Sequence, residues 1–272
     1  MRAIHKILSV AVGSTFTATK VFVRASSDPQ DAHELIHKFV DELVSISEIF
    51  EEKLPNYFRE AITKLENDIS ELDGQYPKKA KLQNLRYRLS NYCKLKVYGF
   101  NSQAYDLTVI LGYLVNNMKA IEMTANSIKV IKKACNYFMI GTENFIFKDM
   151  MNFGPPVSLS KFLSMWGVSE RKSIWPYTYF ESVEQIRACS EFPDRSVFFN
   201  DLKQMEMPLA DYNEAKAEFY RRKNLPENDP NKIYNMECWL KHYNGLDVTP
   251  FLQAIGSCFR IFFELFTLDF VA

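Results

Sequence analysis

Long apolar runs are absent: no stretch of eighteen apolar residues occurs in the 272 residues, so no segment is expected to cross a membrane as a helix. A net charge is absent as well. The 33 Lys and Arg face 33 Asp and Glu, which excludes a strongly basic nucleic-acid coat or an acidic tail. Glycine (9) and proline (11) are too scarce for a collagen, a propeller or a loop-rich scaffold. The five cysteines, Cys93, Cys135, Cys189, Cys238 and Cys258, are odd in number and widely spaced, with no C-x-x-C pair. That pattern argues against a disulfide framework or a zinc site, and for free thiols in a reducing, intracellular compartment. The apolar run after Met1-Arg2-Ala3-Ile4-His5-Lys6 is too short for an export signal and reads as a strand. What the chain has in quantity is core material: 47% hydrophobic residues, 22 of them Phe, which is incompatible with disorder.

Residues 7–12 and 20–24 are β-rich runs separated by Gly13 and a Thr/Ser-rich link, which predicts a hairpin. Ser27-Asp28-Pro29 then opens a helix with Leu35, Ile36, Phe39, Val40, Leu43 and Ile46 at helical spacing. A second helix begins at Pro55, with Phe58, Ile62, Leu65, Ile69 and Leu72 on one stripe. A third runs over about 79–92 on Leu82, Leu85 and Leu89. The period changes to two at 94–100, and the helical spacing of Leu107, Ile110, Leu111 and Leu114 follows. Further strands are predicted at 128–132, 137–140 and 144–149, and a short helix near 158–166. Residues 167–230 form a proline-rich, irregular insertion with one helix near 210–224. A last helix spans about 232–266, with a bend before Pro250. The expected organisation is an α/β fold. It has a hairpin in 1–29, a helical arm in 30–93, and the remainder in 94–272 with its insertion at 167–230.

Two spots carry chemistry. In Asn101-Ser102-Gln103-Ala104-Tyr105-Asp106 a strand gives way to a helix, the place where open α/β sheets bind ligands. In Tyr243-Asn244-Gly245-Leu246-Asp247 a phenol and a carboxylate at i and i+4 share one helix face. Such a face can offer a metal ligand and a hydroxyl that orients water. Each motif alone also has a plain reading, Asp106 as a helix N-cap and the Tyr–Asp pair as a surface feature.

As a pair in this order, N-x-x-x-Y-D and then Y-x-x-x-D, they resemble the second and third motifs of the 3′–5′ exonuclease domain of family B DNA polymerases. The stretches Val97–Leu107, Phe147–Phe153, Trp175–Tyr177 and Trp239–Phe251 are similar to protein-primed polymerases, above all those of Polinton/Maverick-type mobile elements and related linear plasmids and viruses. The resemblance implies an RNase H-like fold and two Mg²⁺ or Mn²⁺ ions about 3.5–4 Å apart on the scissile phosphate. It makes Asp106 and Asp247 metal ligands and Tyr243 the residue that orients the nucleophile. It gives Asn101 and Tyr105 contact with a single-stranded DNA primer terminus, and Lys172 support of the scissile phosphate. The partners implied are that DNA end, a polymerase module and a terminal protein.

The same resemblance calls for a D-x-E motif on a first strand, and no Asp in the chain is followed two positions later by Glu. No S-L-Y-P-like or D-T-D-like palm motif occurs either. The expectation is therefore an RNase H-like exonuclease fold that lacks its first strand, inactive alone because two carboxylates hold two divalent ions poorly. The other reading is a non-catalytic remnant that binds single-stranded DNA or a protein partner. Three remaining features have plain readings. His33 and His37, with Asp41 a turn on, form a solvated helix face. Lys78, Lys79, Lys81, Arg86 and Arg88 are read as solvated charges interleaved with an amphipathic helix. Phe259, Phe262, Phe263, Phe266 and Phe270 belong to a core or to a docking face.

Overall fold

The computed structural model describes residues 7–72, 75–102, 106–107, 109–110, 112–113, 129–133, 136–142, 144–154, 156–170, 172–200 and 204–267. These form a mixed α/β fold with two small sheets and several helices. Chain contacts divide it into two compact units. One comprises 1–39 and 157–258, the other 40–156 and 259–272.

In the first unit, β1 (Ser9–Val12) pairs antiparallel with β2 (Lys20–Val23), Ser9 opposite Val23 and Val12 opposite Lys20, as the two alternating runs predict. Arg24 sends its guanidinium to the carbonyls of Ser27 and Asp28, and Asp28 Oδ1 accepts the Gln30 N–H at 2.8 Å. These contacts fix the entry to α1 (Pro29–Lys53), a helix of 25 residues whose Leu35 and Ile36 are fully buried. Two short helices, α4 (Leu159–Met165) and α5 (Val183–Ala188), are each N-capped by a serine, Ser158 and Ser182. Helices α6 (Leu209–Lys223) and α7 (Met236–Phe266) complete the set; α7 runs through Pro250 as one helix.

The stretch 167–230, expected as an irregular insertion, supplies much of the core. Trp175, Ile186, Phe192, Phe198, Tyr212 and Phe219 close around Met236, Trp239, Leu240 and Tyr243 of α7. Phe192 stacks on Phe198 and meets Trp239 edge to face, both at centroid distances of 5.3–5.5 Å. Tyr212 is buried with its hydroxyl satisfied by the Pro193 carbonyl at 3.0 Å. Prolines here position extended chain between aromatic anchors, so the segment has little periodicity and yet a large buried area.

In the second unit, α2 (Asn56–Glu71) and α3 (Tyr76–Tyr92) pack on each other, and neither contains a fully buried residue. The predicted seam on Leu82, Leu85 and Leu89 is thus half covered, with Leu85 51% exposed. The four-stranded sheet has the order β3 (Leu95–Gly99), β6 (Phe145–Asp149), β5 (Asn136–Gly141), β4 (Lys129–Lys133). β3 and β6 are parallel, with Gly99 opposite Asp149, and the other pairs are antiparallel. Phe145 and Phe147 are buried on β6. The short 106–113 stretch is helical wherever it is described. At the end of α7, Phe263 and Phe266 are more than half exposed, at 59% and 57%. Those two rings are therefore surface, while Phe270 lies outside the described residues. No helix among the described residues is long and apolar enough to cross a membrane.

Candidate functional site

Helix α7 turns Trp239, Tyr243 and Asp247 toward one side, four residues apart. Trp239 is fully buried and its indole N–H donates to the Ile174 carbonyl at 3.1 Å. That bond moors the extended segment 172–177 beside the helix. Along it, Trp175 lies 6.3 Å from the Tyr243 ring, and the Tyr177 hydroxyl is hydrogen-bonded to the Tyr243 hydroxyl. Lys172 then meets both motif residues: its Nζ is 4.7 Å from the Tyr243 ring centroid and 2.9 Å from Asp247 Oδ2. The β1–β2 hairpin also reaches α7. Asn244 donates to Ser9 Oγ at 2.5 Å, and the hydroxyls of Thr19 and Thr249 are 2.8 Å apart.

The electrostatics of this cluster are specific. Burial raises the Asp247 carboxyl above the ordinary aspartate value, and the Lys172 ammonium only partly offsets that. Oδ2 faces Lys172, whereas Oδ1 is buried without a hydrogen-bond partner. Burial, followed by the charge neighbours Tyr177 and Asp247, drives the Tyr243 phenol far above the usual tyrosine range. Tyr243 is therefore a permanent phenol, able to donate a hydrogen bond and unable to act as a base.

The other sequence-predicted residues belong to the second unit. Asn101 sits at the carboxyl end of β3 in the left-handed region, φ 56°, and its N–H donates to Asp149 Oδ1 at 3.0 Å. Asp149 is buried at the carboxyl end of the parallel neighbour β6 and also accepts the Met151 N–H at 2.9 Å. Asp106 is exposed, a few residues beyond, where Leu107 N–H bonds to the Ser102 carbonyl at 2.8 Å. Tyr105 lies outside the described residues. Lys172, Tyr243 and Asp247 are thus brought together within the first unit, whereas Asn101 and Asp106 belong to the second.

No family model matches the chain, and no curated protein or solved structure matches it.

The fit to a divalent cation rests on the donor set. A hard cation such as Mg²⁺ takes one or two protein carboxylates and fills its remaining positions with water and substrate phosphate. Asp247 offers one such oxygen, the unpartnered Oδ1. It is a single ligand with an ammonium on its other oxygen, and among the described residues no group of three His, Cys, Asp or Glu is poised around a metal.

Tyr177 and Asp149 lie in stretches that carry the resemblance, yet the motifs assign neither a role of its own. Tyr177 meets Tyr243 only through the fold. Asp149 ends a strand, where a carboxylate has no reason to be buried unless it grips neighbouring backbone.

Proposed function

We propose that the chain derives from the 3′–5′ exonuclease domain of a protein-primed family B DNA polymerase and holds the 3′ end of a single DNA strand at Lys172, Tyr243 and Asp247. The observation that carries this reading is the meeting of Lys172 with Tyr243 and Asp247 across some 70 residues of sequence. The resemblance assigns a phosphate-supporting lysine, a tyrosine and an acid to those same three positions, and a chance resemblance has no reason to gather them.

In this reading the Lys172 ammonium, 41% exposed and paired with Asp247, exchanges that carboxylate for a backbone phosphate when the strand enters. The Tyr243 hydroxyl donates to an oxygen at the terminal phosphodiester, held in orientation by Tyr177. The resemblance gives Asn101 and Tyr105 contact with the strand and makes Asp106 and Asp247 acids for Mg²⁺ or Mn²⁺, an ion that would supply charge for the phosphate and a more acidic bound water. With no D-x-E motif in the chain, cleavage is not expected from this chain alone. The partners are a polymerase module and a terminal protein, in an intracellular setting.

A second reading, a non-catalytic remnant that binds single-stranded DNA or a protein, draws on the same ion pair: Asp247 is neutralised by a lysine of its own chain.

A 5′-labelled single-stranded oligonucleotide incubated with Mg²⁺ or Mn²⁺ separates these. The expected result is tighter binding of the linear strand than of a circle of equal length, an advantage that needs the free 3′ hydroxyl end and is lost in Lys172→Glu, with no shortened products. A ladder from the 3′ end, abolished in Asp106→Ala and Asp247→Asn, shows instead that further acids complete the metal site. Equal affinity for the linear strand and for a circle of equal length, unchanged in Lys172→Glu, refutes the assignment.

A further inference from the structure

Charge in this chain is balanced in total and segregated locally. Residues 74–105 contain Lys78, Lys79, Lys81, Arg86, Arg88, Lys94 and Lys96 and no acid, where the chain's mean of about one acid per eight residues predicts about four. A second acid-free run, 123–142, contains Lys129, Lys132 and Lys133. Inside the second unit the two runs meet at Lys129, whose Nζ lies 4.3 Å from the Tyr87 ring centroid.

These cations divide by what they touch. Lys94 donates to the Thr142 carbonyl at 2.7 Å. Lys96 donates to the carbonyls of Asn91, Tyr92 and Lys94 at 2.6–2.9 Å, closing the C-terminal end of α3. Arg86 pairs with Glu66, its Nε 2.8 Å from Oε1. Lys78, Lys81 and Arg88 are exposed and stand without a carboxylate among the described residues. With Leu85 they follow i, i+3, i+7 and i+10, a single stripe about 15 Å long at 1.5 Å per residue. Lys79, half-buried, lies about 100° around the helix from Lys78, off the stripe.

Aromatic rings stand among these charges without serving a core. Tyr76 is 85% exposed and Tyr87 44%, both on α3, which buries no residue at all. β4 beside it is the outer strand of its sheet, with Val130 and Ile131 43% and 49% exposed. Apart from Arg86, whose partner is Glu66, the positive charge of α3 serves no ion pair among the described residues, and it suits a polyanionic partner.

We infer that α3 and β4 form a second binding surface, for the backbone and bases of single-stranded nucleic acid, separate from the Lys172–Tyr243–Asp247 cluster. Lys78, Lys81 and Arg88 meet successive phosphates, and Tyr87, about 100° around the helix from Arg88 and with Lys129 on its ring, offers a stacking face to a base turned toward β4. A membrane surface is disfavoured because the Leu82–Leu85–Leu89 face of α3, half covered with α2 packed on the helix, leaves little apolar area to insert. The surface works on internal strand and needs no end, so it stands whether or not the 3′-end reading does.

The test is anisotropy of the full chain on a fluorescent circular (dT)30, which has no 3′ end. Three phosphate contacts predict a slope of log K against log salt of about −2, or roughly 20-fold weaker binding at 200 mM than at 50 mM salt. The triple variant Lys78→Glu/Lys81→Glu/Arg88→Glu should lose at least tenfold in affinity, and its slope should fall by about 2. The neutral triple with Gln at the same positions should follow in the same direction, with an unchanged helical circular dichroism signal. Tyr87→Ala should weaken binding about fivefold or more. Lys172→Glu should leave the circle bound while losing capture of 3′ ends, which separates this surface from the proposed 3′-end site. No binding of the circle, wild-type affinity in either triple, or tighter binding of a duplex of equal length overturns the inference.

Discussion

Replacing Asp247 with asparagine removes one charge from a buried position while leaving the shape of the side chain nearly unchanged. The carboxyl titrates above the ordinary aspartate value because burial outweighs the help of Lys172. With the folded value raised, the native state holds its proton more tightly than the unfolded chain. Stability contributed by the neutral form is complete below the unfolded value near 3.8 and is lost as pH rises through the folded value. At pH 7 the charged carboxylate is therefore a net cost, centred on Oδ1, which has no partner. A buried polar group left unsatisfied costs about 1–3 kcal/mol, and the Lys172 contact at 2.9 Å brings the expected figure to about 1 kcal/mol. Asp247→Asn should thus be more stable than the wild type at pH 7, with Tm about 2–4 °C higher, and the advantage should vanish below pH 4. Lys172→Met works in the opposite sense. It leaves the carboxylate wholly unpaired and should cost about 1–2 kcal/mol at pH 7, less than a fully buried pair because the ammonium is 41% exposed. In the double variant the lysine loss should shrink to a few tenths of a kcal/mol, about the size at which additivity ceases to be tested. Urea unfolding at pH 4 and 7, at matched ionic strength, reads all four proteins. An Asp247→Asn variant that is less stable than the wild type at pH 7, by the same amount at pH 4, would show that the charge is not what the site tolerates at a cost.

His242, next to Tyr243, has the reverse pH dependence. Burial, assisted by the Arg222 charge, pushes its imidazole down to about 4, so it folds neutral and stability falls as pH drops from about 6.5 toward 4, by at most about 3 kcal/mol. His242→Gln should flatten that part of a Tm-against-pH curve, and an unchanged curve would reject the assignment. A Cβ at Gly13 would stand 2.6 Å from Thr19 Oγ1 and 2.9 Å from Val248 Cγ1, both on stiff β-branched residues. Gly13→Ala should destabilise by about 1–3 kcal/mol in urea unfolding, and a neutral result would mean that the hairpin slides freely on α7. Trp239→Phe loses the hydrogen bond to Ile174 and leaves a gap in the core, for about 2–3 kcal/mol. It should also weaken 3′-end capture by loosening the segment that holds Lys172, whereas retained capture at full stability would detach that segment from the site.

Local pattern was informative wherever one face of an element decides its burial. Strand alternation placed β1, β2 and β3, and the i, i+4 spacing put Tyr243 and Asp247 on one face of a helix that the fold does form. It failed where burial depends on distant partners. Phe192 and Phe219 reach Trp239 from separate stretches of backbone, and Phe198 and Tyr212 pack on Phe192; only Tyr212 and Phe219, both on α6, share a helical spacing, so the proline-rich stretch looked peripheral while forming the core. The opposite error concerns α3, where Leu82, Leu85 and Leu89 are spaced for a seam. Spacing says that such a face exists, not how fully a neighbour covers it, and with α2 packed on α3 neither helix buries a residue completely. The pairing of Lys172 with Asp247 spans 75 positions and is invisible to any window, and only the order of motifs hinted at it.

The long reach from β1 and β2 to α7 has a consequence for how the protein is made. A two-stranded hairpin is marginal by itself in water. Here Ser9 meets Asn244, and Thr19 meets Thr249, partners more than 200 positions downstream. At about 5–20 residues per second of synthesis, the first strands wait roughly 10–50 s on the ribosome before those partners emerge. Through that interval the nascent N-terminus presents two short, unpartnered strand edges. Those edges are the segment that a chaperone, or a misfolding neighbour on the same message, has longest to find.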